Sequence, residues 1–348
     1  MRIRRPIALG LLILWNPVPL ADDESAEQEA QLAKLLDARE IPAARAAAAR
    51  RLQRTPPGPE AVPQLAELLQ ELRPKPERVQ QEVVDLETNR VQRRLEVKLP
   101  PLDVWQNTAG LGAEVAAVLG KMGEDAASAV PEMNDFLVDV LDYARAAARE
   151  CYTYQSVLGV VSREKLAQSA KFALAVDAVA VHTVGALGDV GSEAARAVPL
   201  LAMALKKPIF PARSLFESVG TEMDVREYFL PESVMEGLGE GTGDADDLED
   251  FRVAGASPGN RARAGGPAAK GESKLRDAAA AALGKIGSRP AVEALHDVIA
   301  YGDEPEVLAP SRVRALAYST LEKMSRDHPD ATTRAEAARA IKRLRPAP

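Results

Sequence analysis

Ala116-Ala117-Val118-Leu119-Gly120-Lys121-Met122-Gly123, followed after a short gap by Ala129-Val130-Pro131-Glu132-Met133, recurs 68 positions further on. The second copy reads Val184-Gly185-Ala186-Leu187-Gly188-Asp189-Val190-Gly191, then Ala197-Val198-Pro199-Leu200-Leu201, with the same internal spacing. A third copy, Leu275 to Leu283-Gly284-Lys285-Ile286-Gly287, runs into Pro290-Ala291-Val292-Glu293-Ala294-Leu295 through a shorter turn. Looser copies flank these. Ala44-Arg45 to Leu52 leads through Pro56-Pro57-Gly58 into Ala61-Val62-Pro63-Gln64-Leu65, and Val313-Arg314-Ala315 leads to Leu321 and Met324.

The physical content of the unit is legible in its residues. Apolar side chains at helical spacing end at a Leu-Gly step (Leu119-Gly120, Leu187-Gly188, Leu283-Gly284), where the missing side chain admits a neighbouring helix. The second glycine (Gly123, Gly191, Gly287) suits the left-handed conformation that closes a helix. Pro131, Pro199 and Pro290 then fall in the first turn of a following helix, where a lost N–H has no intrahelical partner anyway. Each unit is thus a helix, a tight turn and an antiparallel helix, and neither helix buries its apolar stripe without the next unit.

The pattern A-x-A-L-G-x-[IVM]-G followed by A-V-P-x-L resembles the bacterial HEAT and HEAT-like repeats. That resemblance implies an all-α fold, a right-handed α-solenoid of antiparallel helix pairs. The 68-residue interval from Gly120 to Gly188 fits two units of about 34 residues, with a degenerate unit near Asp142 to Ala175. Lys75 to Val97 and Ser162 to Val184 are expected to be longer, less regular helices of the same stack. Gly188 to Gly284 spans 96 residues, too many for two units, and Lys206 to Ser273 carries Pro208, Pro211, Pro231, an acidic Gly-rich tract at Gly237 to Asp250 and a Gly/Ala/Arg-rich tract at Gly255 to Gly271. The expected organisation is a leader over 1–21, repeats over 22–205, an inserted loop over 206–272, helical in part near Glu222 to Leu238, and repeats with an end cap over 273–348. Helices are expected near Ser273 to Ile286, Pro290 to Ala300, Ser311 to Met324 and Thr333 to Leu344, the last with capping-box spacing between Thr333 and Glu336.

Apolar residues make up 46% and charged residues 27% of the 348, which suits a folded chain. The 4% aromatic content and the Ala runs point to closely packed helices. The net charge of −7 is a poor match for nucleic acid, whose phosphates demand a basic face. A single cysteine, Cys151, allows no intramolecular disulfide and no cysteine-rich metal site. Met1-Arg2-Ile3-Arg4-Arg5, an apolar Ile7 to Trp15 and Pro17 to Ala21 before Asp22-Asp23-Glu24 read as a secretory leader cut after Ala21. Its apolar stretch is far shorter than a bilayer span of about 20 residues. Export to the periplasm or outside the cell is expected, with an uncleaved N-terminal anchor as the alternative.

Few residues invite chemistry. His182, His296 and His328 stand at no metal-ligand spacing, and Cys151 has no oxyanion motif beside it. The acids Asp244, Asp246, Asp247, Glu249 and Asp250 have Leu248 where a calcium loop needs an oxygen. The glycines follow no strand and precede no Walker-type lysine, so they read as packing and capping positions. Neither metal nor cofactor is called for.

Arg45, Arg276 and Arg314 share a register, seven residues before the Leu that closes their helix. By the HEAT-like resemblance, such arginines either brace adjacent units through carboxylates or, free on the inner face, meet an acidic partner. The expectation is a non-enzymatic scaffold that holds a protein partner on a concave face lined by the second helices, without nucleic acid and without a stable membrane span. The alternative implied by the same resemblance is an enzyme on this scaffold, a chromophore lyase or a base glycosylase.

Overall fold

The computed structural model describes residues 21–85, 90–156, 163–206, 274–302, 309 and 311–344. The expected leader and almost all of the expected insertion, with its acidic tract and the helix near Glu222 to Leu238, lie outside the described residues.

Helix α1 (Ala21–Leu36) precedes five helix pairs. The first helices of the pairs are α2 (Pro42–Arg54), α5 (Leu111–Lys121), α7 (Arg163–Val190), α9 (Lys274–Ile286) and α11 (Ser311–Asp327). Their partners are α3 (Val62–Glu71), α6 (Val130–Ser156), α8 (Val198–Lys206), α10 (Arg289–Ala300) and α12 (Ala331–Leu344). Each first helix packs on the next, α2 on α5 on α7 on α9 on α11, to form one layer. In the other layer α3 lies against α6, and α8 against α10 against α12. This is the all-α solenoid that the repeats imply.

The motif residues do what their chemistry suggests. Leu119, Leu187, Leu283 and Leu321 are fully buried, each removing enough apolar surface from water to stabilise by roughly 2 kcal/mol. Gly123, Gly191 and Gly287 have φ of 63°, 78° and 64°, the left-handed conformation that closes α5, α7 and α9. A Cβ on Gly120 would lie 2.7 Å from the Ala186 Cα, one on Gly188 2.8 Å from the Ala282 Cα, and one on Gly284 2.6 Å from the Thr320 Cγ2. Each glycine therefore faces the residue two positions before the corresponding point of the next first helix. That register identifies Glu322 as the equivalent position in the last unit. Pro131, Pro199 and Pro290 occupy the second position of α6, α8 and α10.

Three local expectations are corrected. Lys75 to Val97 does not form a helix: β1 (Arg78–Asp85) and β2 (Arg90–Val97) make a two-stranded antiparallel hairpin, with Arg78 opposite Val97 and Asp85 opposite Arg90. Val79, Val83, Val84, Val91 and Val97 are β-branched residues that suit a pleated ribbon, and they outweigh the helix-favouring Gln, Glu and Arg between them. Nor is there a degenerate unit between Gly120 and Gly188. The described part of the interval is taken up by one lengthened helix of each flanking pair, α6 with 27 residues against 9 to 14 for the other second helices and α7 with 28 against 11 to 17 for the other first helices. These two helices pack on each other. Finally, Asp330 rather than Thr333 caps α12: its carboxylate accepts from the Thr332 N–H at 3.2 Å and the Thr333 N–H at 2.8 Å. Thr333 is consequently the third helical residue, and its hydroxyl donates to the Gly287 carbonyl, joining α12 to the end of α9.

Ahead of α5, α4 (Leu102–Trp105) is joined to it by one π-helical turn, Gln106–Gly110. Residues 171–206 are long and apolar enough to cross a membrane by composition, but 56% of the apolar window is buried in the stack. The stretch is also divided between α7, a 3₁₀ turn at Gly191–Ala197 and α8.

Candidate functional site

The second helices present a strip of polar side chains that bridge from one helix to the next. At the end of α3, Arg73 reaches α6, its Nε 2.5 Å from the Asp139 carboxylate and its Nη1 2.9 Å from Asp135. The hydrogen bond and charge of Asp139 hold the Arg73 guanidinium above its usual range, against the opposing effect of burial. Asp139 is itself buried, so the pair offsets the desolvation of that carboxylate. One turn further along α6, Asp142 accepts from Arg78 of β1 at 3.3 Å and from Arg145 at 2.8 Å. Arg145 also lies 3.3 Å from the Met203 sulfur on α8. Lys206 at the end of α8 then meets Asp297 of α10 at 2.9 Å. Val138, an exposed large apolar residue of α6, stands within this charged surface.

Behind the strip lies a small aromatic core. Trp105 packs edge-on against Tyr143 at 5.0 Å and against Phe172 at 5.3 Å between ring centroids. These rings pack α4 against α6 and α7, and the Tyr143 hydroxyl donates to the Lys75 carbonyl at 3.2 Å, fixing the approach to the hairpin. Burial pushes the Tyr143 phenol up. The aromatics thus serve to anchor β1 and α4 on α6 rather than to line an open cleft.

The first-helix layer carries a ladder at the position after each motif glycine. Lys121 and Lys285 flank Asp189, at 3.4 Å and 2.5 Å, linking three successive first helices. Such exposed pairs contribute about 0–1 kcal/mol each. The seam between the first and second pairs is different. Gln53 stands where later units have glycine, and its amide donates to the Glu114 carboxylate at 2.7 Å. Arg50 meets the same carboxylate at 3.1 Å. Glu114 is buried, and His182 on α7 sits within range of its charge. Burial holds the His182 imidazole below its usual value, with Glu114 pulling the other way, so the ring is neutral near pH 7.

Arg45 and Arg276 of the shared register brace the stack through backbone carbonyls. Arg45 Nε donates to the Leu35 carbonyl at 2.8 Å, and Arg276 Nη2 to the Lys206 carbonyl at 3.0 Å. Both carbonyls belong to the last turn of the preceding helix, the negative end of its dipole. Arg314 packs beside Gly302, just beyond α10: a Cβ there would come 2.9 Å from the Arg314 Cγ. Arg276 is buried at 5% exposure, while Arg45 and Arg314 are half-buried.

The three histidines lie apart on α7, α10 and the turn before α12, and Cys151 lies on α6. Among the described residues no group of three or more His, Cys, Asp or Glu is placed to hold a metal ion. Sequence reasoning missed the Arg73–Asp135–Asp139 cluster and the Gln53–Arg50–Glu114 seam. The spacing of Asp135, Asp139 and Asp142 on one helical face was the available signal for the former.

A linear stack of antiparallel helix pairs, closed at its last three junctions by the same glycine contact, defines an α-solenoid. Residues 275–301, which comprise nearly all of α9 together with α10, match the family model described as the PBS lyase HEAT-like repeat. That segment is similar to a HEAT-like repeat, and the helix pairs on either side of it pack in the same repeated manner. No curated protein matches the chain, and no solved structure does.

Proposed function

We propose that this chain is a non-enzymatic, exported scaffold that holds a protein partner along the face of its second helices. The observation that carries the reading is the run of cross-helix bridges, Arg73 to Asp139, Arg145 to Met203 and Lys206 to Asp297. Side chains held in this way lose little further freedom when a partner arrives, which lowers the entropic cost of association. Exposed Val138 and Asp135 provide an apolar contact and a charge at the middle of the strip. A surface of this kind binds through several modest contacts spread over successive units.

The test is capture of partners from the exported fraction with the wild-type chain and with a Val138→Asp/Asp135→Arg variant. Both side chains are exposed, and circular dichroism verifies that the variant keeps its fold although Asp135→Arg removes one partner of Arg73. Loss of the captured protein from the variant is expected. Equal capture by both chains overturns the assignment to this face, and retention of a tagged full-length chain in the cytoplasm overturns export.

A further inference from the structure

Beside the last described pair lies an open groove. At the inner junctions, the groove beside each motif glycine is filled by the next first helix, as Gly188 is by Ala282 of α9. The same place on α11 and α12 holds an open groove of about 480 Å³, lined by Glu322, Ser325, Arg326, Ala338, Ile341 and Lys342. Glu322 stands where the inner units have glycine, and it lines this groove together with Arg326 and Lys342.

The surroundings of this groove are basic in an acidic chain. The segment 311–344 carries eight Lys and Arg against four Asp and Glu, whereas the whole chain has a net charge of −7. Arg326, Arg339, Lys342 and Arg343 are exposed. The Arg326 Nε donates to the Glu322 carbonyl at 3.4 Å. Cations in the last turn of a helix complement its dipole, which accounts for the presence of Lys342 and Arg343. It does not account for Arg339, in the middle of α12, or for an open groove floored by Ala338 and Ile341.

We infer that this groove docks an acidic amphipathic helix of a partner protein in the seat that a further first helix would occupy. Ala338 and Ile341 receive its apolar stripe, and Arg326 and Lys342 meet its carboxylates. This docking mode goes beyond the second-helix strip and does not depend on it, because none of the strip residues takes part.

The experiment uses the full chain and two synthetic peptides. One repeats the first-helix pattern, with Ala and Leu on one face and Glu on the flanks, and its twin carries Lys in place of each Glu. Fluorescence anisotropy is expected to show salt-sensitive binding of the acidic peptide only. An R326E/K342E variant is expected to weaken it by about tenfold or more and to favour the lysine twin. Ala338→Gln, which fills the groove without changing charge at an exposed position, is expected to weaken binding as well. Equal binding of both peptides, binding of neither, or binding indifferent to these substitutions overturns the inference. So does self-association of the chain that R326E/K342E abolishes, or binding to anionic lipid vesicles without binding to the peptide.

Discussion

Gly188→Ala adds one methyl group at the tightest kind of contact in the stack. The new Cβ would stand 2.8 Å from the Ala282 Cα and 2.9 Å from its Cβ. Both atoms are fixed to the α9 backbone, so no rotamer change relieves them, and α7 and α9 must separate to reach an ordinary carbon contact of about 3.5–4.0 Å. Overpacking of this kind costs about 1–3 kcal/mol. Ala gains roughly 1 kcal/mol over Gly in helix propensity, so the expected net effect is a loss of about 1 kcal/mol. Gly185→Ala, one turn earlier on the same helix, is the internal control: nothing lies within 4 Å of its added Cβ. It gains the propensity without the clash and is expected to stabilise by about 0.5–1 kcal/mol. Urea denaturation of the two variants should thus differ by roughly 2 kcal/mol, with the wild type between them. If Gly188→Ala is as stable as Gly185→Ala, close approach at the motif glycine is not what closes the junction.

Gly191→Ala, at φ 78° with open space around it, is expected to lose about 1–2 kcal/mol from backbone strain alone. Gly191→Asn is expected to lose less, and thermal melts of both variants check the order. Arg73→Met leaves the buried Asp139 carboxylate without its strongest partner and is expected to destabilise by about 3 kcal/mol. An Arg73→Met/Asp139→Asn double variant should recover much of that loss in a denaturation cycle. The His182 imidazole is held below 6.5, so in the interval beneath 6.5 the unfolded chain binds a proton that the folded chain does not. Its contribution is therefore complete above pH 6.5 and is lost as the pH falls through the folded value. Stability measured between pH 7 and 5 should fall less steeply in His182→Gln, and an unchanged slope refutes the assignment.

What could be read from the residues alone was the repeat itself. Leu-Gly-x-x-Gly followed by Pro encodes a buried leucine, a close contact, a left-handed cap and a new helix, all local consequences of single side chains. Two features escaped because they depend on larger stretches. From Glu132 to Leu158 there is no glycine or proline, so nothing interrupts α6, yet the expectation of a regular repeat length favoured an extra unit over a longer helix. In Arg78 to Val97, β-branched valines compete with Gln, Glu and Arg, residues that suit a helix equally well. Pairing partners settle that competition, and they lie across the ribbon rather than along it. The strip on the second helices was foreseen as a face but not in its residues, because Arg73 meets Asp139 and Lys206 meets Asp297 only once the helices are stacked. The shared Arg45, Arg276 and Arg314 register was visible, but the atoms that Arg45 and Arg276 grip are main-chain carbonyls, which no residue code advertises.

The substitution of Gln53 for a glycine gives the first junction a buried carboxylate where the later ones have a bare glycine contact. Helix α2 meets α5 there through Glu114, a carboxylate held by Arg50 and Gln53, while the end of α3 is held on α6 by Arg73. In a one-dimensional assembly that loses order from its weakest link, amide deuterium uptake should begin with helices α1 to α3 and stall at α5.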